Sequence, residues 1–129
     1  MKIYVAGKYQ DRDRVRFIHQ LLREQGHEIT IDWTNHDIYP NDAIAEKLSQ
    51  FAQDDVWGVL NADIFIGLMT LPFEYKGLWV EMGIALGKGI PVYVIGDAGS
   101  NCIFHNHPLV KKFADIQECC NSLAPPVCI

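Results

Sequence analysis

Cysteine is scarce in this 129-residue chain, and its four copies, Cys102, Cys119, Cys120 and Cys128, form no C-x-x-C pair. That spacing excludes a zinc-finger type of ligand set and a disulfide framework. Reduced thiols fit a cytosolic setting. No apolar run approaches the ~20 residues that span a bilayer. The apolar stretch near Met1 is too short for a signal-peptide core. A cytoplasmic protein with no membrane partner is therefore expected. Positive charge is also in short supply, with 11 Lys and Arg against 16 Asp and Glu, a net charge of −5. Basic patches supply most of the affinity for a nucleic-acid backbone, so no nucleic-acid polymer is expected as a partner. One local pocket can still hold a single nucleotide. The sequence lacks internal repeats, low-complexity blocks and linkers. It also lacks a phosphate-binding G-x-x-x-x-G-K-[ST] loop: Gly87-Lys-Gly89 is a turn, and Gly7 alone is no dinucleotide fingerprint.

What remains is ordinary globular material. Hydrophobic residues make up 49% of the chain and charged residues 21%, which argues against wholesale disorder. The length fits a single domain over residues 1–129.

Strand-like and helix-like segments alternate. Ile3 to Ala6 is short, apolar and β-rich. Asp11 can cap a helix running to about Gln25, with Val15, Ile18 and Leu22 on one face and Gly26 as its C-terminal glycine. Glu28 to Trp33 reads as a second strand, and Thr34 to Asp42 as a polar loop. A helix from about Ala43 to Asn61 leads to a third strand, Ile64 to Met69. A loop with Pro72 and Gly77 opens a third helix ending near Gly87, and Pro91 to Ile95 is a fourth strand. Beyond a loop from Gly96 to Pro108 come a weaker segment, a last helix around Gln117 to Leu123, and a tail with two prolines. The alternation predicts an α/β fold: a mostly parallel sheet of four to five strands with helices on both faces. In such sheets ligands bind outside the carboxyl ends of the strands. The loops after Ala6, Trp33, Met69 and Ile95 are the ones that matter.

Two acids fall within apolar stripes. Asp55 shares a face of the second helix with Leu48, Ala52 and Val59, whereas Asp54 lies on a polar flank with Lys47 and Gln50. Glu81 falls between Leu78 and Ala85 on the third helix. A carboxylate facing a core is costly unless it is paired, hydrogen-bonded or at a cleft edge. Two of them on neighbouring helices point to a shared cleft, although structural acids that bridge elements give the same pattern. Glu81 also lies near the start of its helix, where the dipole favours the ionised form. An ionised, partly desolvated carboxylate is what attack on a sugar carbon needs.

Three stretches then resemble one family. They are Lys2-Ile-Tyr-Val-Ala-Gly7, Asp55-Val-Trp-Gly-Val-Leu-Asn-Ala-Asp63, and Gly77-Leu-Trp-Val-Glu-Met-Gly-Ile-Ala-Leu-Gly87 running into Pro91-Val-Tyr-Val-Ile95. In order and spacing they are similar to the nucleoside 2-deoxyribosyltransferases and the related 2′-deoxynucleoside 5′-monophosphate N-hydrolases. The resemblance implies a flavodoxin-like (Rossmann-like) three-layer fold and cleavage of the N-glycosidic bond of 2′-deoxyribosides, with transfer of the sugar to another base. It implies that Glu81 is the nucleophile, that Asp55 orients the sugar or protonates the leaving base, and that Tyr4 supplies an aromatic hydroxyl. Gly7 and Lys8 would line the substrate site. Lys76 and Gly77, just before the nucleophile, are expected at substrate on their position in this chain, and Lys8, Lys76 or Arg12 could bind a phosphate. The partner would be a small deoxynucleoside or deoxynucleotide. Neither metal nor organic cofactor is needed. A homo-oligomer is expected, because the family's sites are shared between subunits.

The chain departs from the family in places. The loop Lys8 to Arg14 has no serine for a 5′-phosphate. No serine stands in Phe73-Glu-Tyr-Lys76, and Lys76-Gly77-Leu78 replaces the transferases' acid-glycine turn. Hydrolysis of a deoxynucleotide, and a non-catalytic nucleotide-binding module of the same fold, therefore stand as alternatives. Trp33 and Tyr39 either pack or stack on a base, and Trp79 reads as core or subunit interface. His36 and Asp37 read as a solvated loop, His105-Asn-His107 as a lid or contact, Asp63 as a structural acid, and the thiols as packing or surface residues.

Overall fold

A computed structural model of the chain describes residues 1–36, 44–72 and 74–123. Strand β1 (Lys2–Ala6) buries Ile3 to Ala6 completely. A turn of 3-10 helix, Tyr9–Asp11, leads into α1 (Arg12–Glu24), which buries Val15, Ile18 and Leu22 as their spacing predicts. Gly26 follows at φ +88°, a left-handed position that glycine takes without steric cost. Asp11 differs from its expected role. It stands at the N-cap position, but its side chain caps nothing. Buried under the loop that follows the third strand, its carboxylate accepts from Thr70 Oγ1 at 3.4 Å and faces Arg14 at 3.5 Å.

The second strand is shorter than its sequence suggests. Strand β2 covers Glu28–Ile29 only. Thr30 N–H still bonds the Ile3 carbonyl, but its hydroxyl donates to the Gly58 carbonyl at 2.8 Å. Beyond it, Asp32 accepts from Thr34 N–H and caps a 3-10 turn, Trp33–Asn35. These side-chain bonds divert the backbone from the sheet ladder.

Helix α2 (Ile44–Leu60) precedes β3 (Ile64–Leu68), and α3 (Gly77–Lys88) precedes β4 (Val92–Ile95). The weak segment after Pro108 is a fifth strand, β5 (Val110–Phe113). Its exposed Lys111 and Lys112 dilute the apolar signal. Helix α4 (Ile116–Leu123) closes the described chain and buries Cys119 and Cys120 as free thiols. The expected proline-containing end beyond Leu123, the start of α2 at Ala43, and Asp37, Tyr39 and Phe73 lie outside the described residues.

All four strand pairings are parallel and the order is β2-β1-β3-β4-β5. Helices α1 and α4 pack together, as do α2 and α3. With right-handed crossovers, each pair covers one face of the sheet. Strand β3, buried at every position, forms the centre of the core. The chain turns left from β1 and right from β3, so the crevice for a ligand opens between their carboxyl ends. Asp63 sits at the opposite end of these strands. Its Oδ2 accepts from Lys2 N–H at 2.8 Å and its own N–H bonds the Lys2 carbonyl at 2.7 Å, a structural clasp. No described helix is long and apolar enough to cross a membrane.

Candidate active site

Three elements converge at that crevice. Strand β1 brings Tyr4, α2 brings Asp55 and α3 brings Glu81. Tyr4 is fully buried, and its hydroxyl donates a hydrogen bond to Glu81 Oε2. Glu81 is half-buried between the buried Leu78 and Ala85, where its helical phase predicts it.

The phase of α2 is only partly as expected. Val59 is fully buried and Asp55 half-buried, but Leu48 is 48% exposed and Ala52 is also exposed. Residues 45–50 are all exposed, so the N-terminal part of this helix stands clear of the core. The inward face runs through Phe51, Asp55, Gly58 and Val59. Asp54 lies on the outer flank, accepting from Gln50 Nε2 at 2.8 Å.

Gly58 makes the close approach possible. A methyl group at that position would lie 2.9 Å from both Tyr4 Cδ2 and Ile31 Cγ1. A side chain there would push α2 away from β1 and move Asp55 away from Glu81. The family-like stretch around Asp55 contains this glycine, but its contact with Tyr4 exists only in three dimensions.

Burial governs the charge of both acids. Desolvation pushes Glu81 up to about 8; the Tyr4 hydrogen bond opposes this and the Asp55 charge adds to it. Asp55 is pushed up to about 7 by desolvation and by the neighbouring Asp54. The helix dipole was expected to keep Glu81 ionised, and burial outweighs it. Both carboxyls therefore hold protons far above the ordinary carboxylate range, Glu81 more firmly than Asp55. Attack by Glu81 needs the proton moved from Glu81 to Asp55, a shift that the Tyr4 hydrogen bond to Glu81 favours. Desolvation, with help from Glu81 and Asp55, likewise raises the Tyr4 hydroxyl well above its ordinary value, so it stays a donor.

The carboxyls open into a cleft of about 340 Å³ whose lining includes Gly7, Lys8, Trp33, Lys76 and Gly77. The five residues expected around substrate thus line the same space as Asp55 and Glu81, and Tyr4 reaches it through Glu81. Trp33 also serves the core. It is 8% exposed, and its Nε1–H donates to the Val5 carbonyl at 2.5 Å. Packing fixes this indole, and one side of it still faces the cleft.

Several lining residues are not among those the sequence singles out for the site. Tyr9, Gln10, Glu74, Tyr75 and Leu78 complete the cleft. His36, expected in a solvated loop, is instead half-buried. Its ring stacks on Phe51 with centroids 4.0 Å apart, and its Nε2 lies 4.0 Å from Asp55 Oδ1. That gap exceeds a hydrogen bond, and Asp55 Oδ1 is buried without a hydrogen-bond partner. His107 Nδ1 accepts from Leu109 N–H, and among the described residues no group of three His, Cys, Asp or Glu is placed to hold a metal.

Comparisons with known proteins bear on the family and the fold. The family model for nucleoside 2-deoxyribosyltransferase matches residues 3–113. A 2-deoxyribosyltransferase from Bacillus psychrosaccharolyticus superposes with a TM-score of 0.76 at 21% identity, covering 97% of this chain and 96% of that one. A CMP N-glycosidase from Clostridium botulinum gives 0.63 at 20% identity, covering 95% and 98%. A conserved protein from Enterococcus faecalis V583 gives 0.65 at 18%, covering 94% and 95%. At these identities the structural likeness is one of fold. A search of curated proteins finds no match.

Proposed function

The chain belongs to the nucleoside 2-deoxyribosyltransferase family, and from that premise we propose that it cleaves the N-glycosidic bond of 2′-deoxyribonucleosides and transfers the sugar to another base. In the first half-reaction a Glu81 carboxylate oxygen attacks the anomeric carbon. The carbon–nitrogen bond breaks, its electron pair leaves with the base, and the Asp55 carboxyl supplies the proton. A glycosyl ester on Glu81 results. In the second half-reaction a nitrogen of the acceptor base attacks the same carbon. The ester bond breaks, Glu81 regains its carboxylate, and the acceptor's proton returns to Asp55.

Tyr4 orients the nucleophile. Its hydroxyl occupies Oε2 and leaves Oε1 on the Gly77 side of the cleft. It also steadies the carboxylate when Glu81 becomes the leaving group. The observation that carries this reading is the Tyr4–Glu81 hydrogen bond beside Asp55 in one cleft of nucleoside size.

A second reading has its own support. Lys8 and Lys76 both line the cleft and offer a 5′-phosphate two cations, which favours hydrolysis of a deoxynucleotide. One experiment separates the readings. Each deoxynucleoside and its 5′-monophosphate is incubated with and without a free acceptor base, and bases are followed by chromatography. Exchange only with acceptor identifies transfer. Free base without acceptor identifies hydrolysis. No reaction in any lane from the folded protein sinks both, in favour of a binding module. Glu81→Ala should abolish turnover and keep the fold. Turnover within ~10-fold of the parent would remove Glu81 from the nucleophile's role, since losing a covalent nucleophile costs far more. The expected homo-oligomer belongs to the same proposal; the exposed apolar side chains Trp57, Val80 and Phe104 support it, and sizing chromatography reads it.

A further inference from the structure

Next to the cleft with the two carboxyls lies a second cavity of about 360 Å³, lined by Pro72, Trp79, Ala98, Gly99, Asn101 and Cys102. The two spaces share one wall, because Glu74 and Tyr75 line both. Glu74 is exposed, whereas Tyr75 is only 6% exposed. The phenol ring is therefore the solid part of the partition.

That ring is held from several sides. Its hydroxyl accepts a hydrogen bond from Leu71 N–H at 3.0 Å. The Lys8 ammonium sits over its face, 4.9 Å from the centroid. The loop carrying Leu71 is itself anchored one residue earlier, where Arg14 Nη1 donates to Thr70 Oγ1 at 2.6 Å. These contacts hold the ring between the two spaces.

The second chamber has its own chemistry. Trp79 packs so tightly on Gly99 that a methyl group there would lie 2.9 Å from its ring. A large aromatic face, a proline and one amide side chain suit a planar or aromatic group. The Glu74 carboxylate at the chamber's rim disfavours a phosphate.

We propose that Tyr75 is the specificity-determining side chain that sets the size limit of the substrate. With the ring in place, the carboxylate cleft takes one nucleoside-sized molecule, and the Trp79 chamber is closed to it. With the ring removed, the two chambers join, and an aromatic substituent on the base enters the second. This rests on the reading that the cleft with Asp55 and Glu81 holds a deoxynucleoside.

The test compares 2′-deoxyadenosine with its N6-benzyl derivative on the wild-type protein and on Tyr75→Ala, Tyr75→Leu and Tyr75→Phe. Wild type should favour the parent nucleoside at least 100-fold in kcat/KM. Tyr75→Ala and Tyr75→Leu should each narrow that ratio at least 10-fold. Tyr75→Phe, which keeps the ring and loses only the bond to Leu71, should keep the ratio. Should Tyr75→Ala not fold, Tyr75→Leu, which still fills the core, decides alone. A ratio within 3-fold of wild type in the folded Ala or Leu variant overturns the proposal. So does a wild type that takes both nucleosides equally. Cleavage of 2′-deoxyadenosine by wild type reads the underlying activity separately. If nothing is cleaved even with a free acceptor base present, 2′-deoxyadenosine is refuted as a substrate, and equilibrium binding of the same two nucleosides judges Tyr75 by the same ratios. Binding of neither overturns it.

Discussion

The Tyr4 hydroxyl and the Glu81 carboxylate are joined by a hydrogen bond that spans 77 positions of sequence. One partner comes from the first strand and the other from the third helix. The bond stabilises the ionised glutamate in a site whose burial does the opposite.

Removing that hydroxyl should make Glu81 harder to ionise. In Tyr4→Phe the carboxyl rises further above about 8, so less of it is ionised at pH 7. The expected loss in kcat/KM at pH 7 is ~10- to 100-fold. The acid limb of the pH profile should move to higher pH, so that part of the loss is recovered above pH 8. An unmoved limb would mean that the bond does not tune Glu81.

Asp55→Asn should move the same limb the other way. The Asp55 charge raises Glu81, and an amide carries no charge. Glu81 then ionises at lower pH. The rate itself should fall ~10²- to 10⁴-fold through loss of the proton donor, and less than in Glu81→Ala. A profile of kcat/KM over pH 5–10 for the pair of variants reads both effects.

Stability should fall as pH rises through the range in which these two acids titrate. Burial raises both carboxyls, so the folded protein retains protons that the unfolded chain releases. This contribution is complete below the ordinary carboxylate values of 3.8 and 4.5, and it is lost as pH rises through about 7 and 8. Glu81→Gln replaces the protonated acid by a neutral group of the same shape. Its unfolding free energy should match wild type near pH 4 and exceed it by about 1 kcal/mol or more at pH 9. Urea titrations at the two pH values measure this, and equal differences at both would contradict it.

Gly58→Ala should damage the site from a distance. The added methyl meets Tyr4 Cδ2 and Ile31 Cγ1 at 2.9 Å, so α2 must shift. Overpacking of this kind costs about 1–3 kcal/mol, read as a lower melting temperature. The displaced Asp55 should lower kcat in the fraction that remains folded. Unchanged kcat with lowered stability would separate the packing of α2 from its part in the site.

What the sequence determines here is what repeats locally. The apolar run of β1, the 3.6-residue stripe of α1 and the Gly26 stop are short-range patterns, and each appears where expected. Glu81 is legible for the same reason, because Leu78 and Ala85 bracket it on one helical face. Tertiary structure decided the rest. Leu48 matches the apolar stripe of α2 yet is exposed, since periodicity does not reveal where a helix leaves the core. Strand β2 ends early because Asp32 caps the next turn through Thr34 N–H and because the Thr30 hydroxyl finds the Gly58 carbonyl, 28 positions away and outside any local window. Tyr75 joins the cleft, and His36 approaches Asp55, through contacts between separate elements. Burial also reversed one expectation about charge. The helix dipole acts along the chain, whereas desolvation depends on everything folded around the carboxyl, and at Glu81 desolvation is the larger effect.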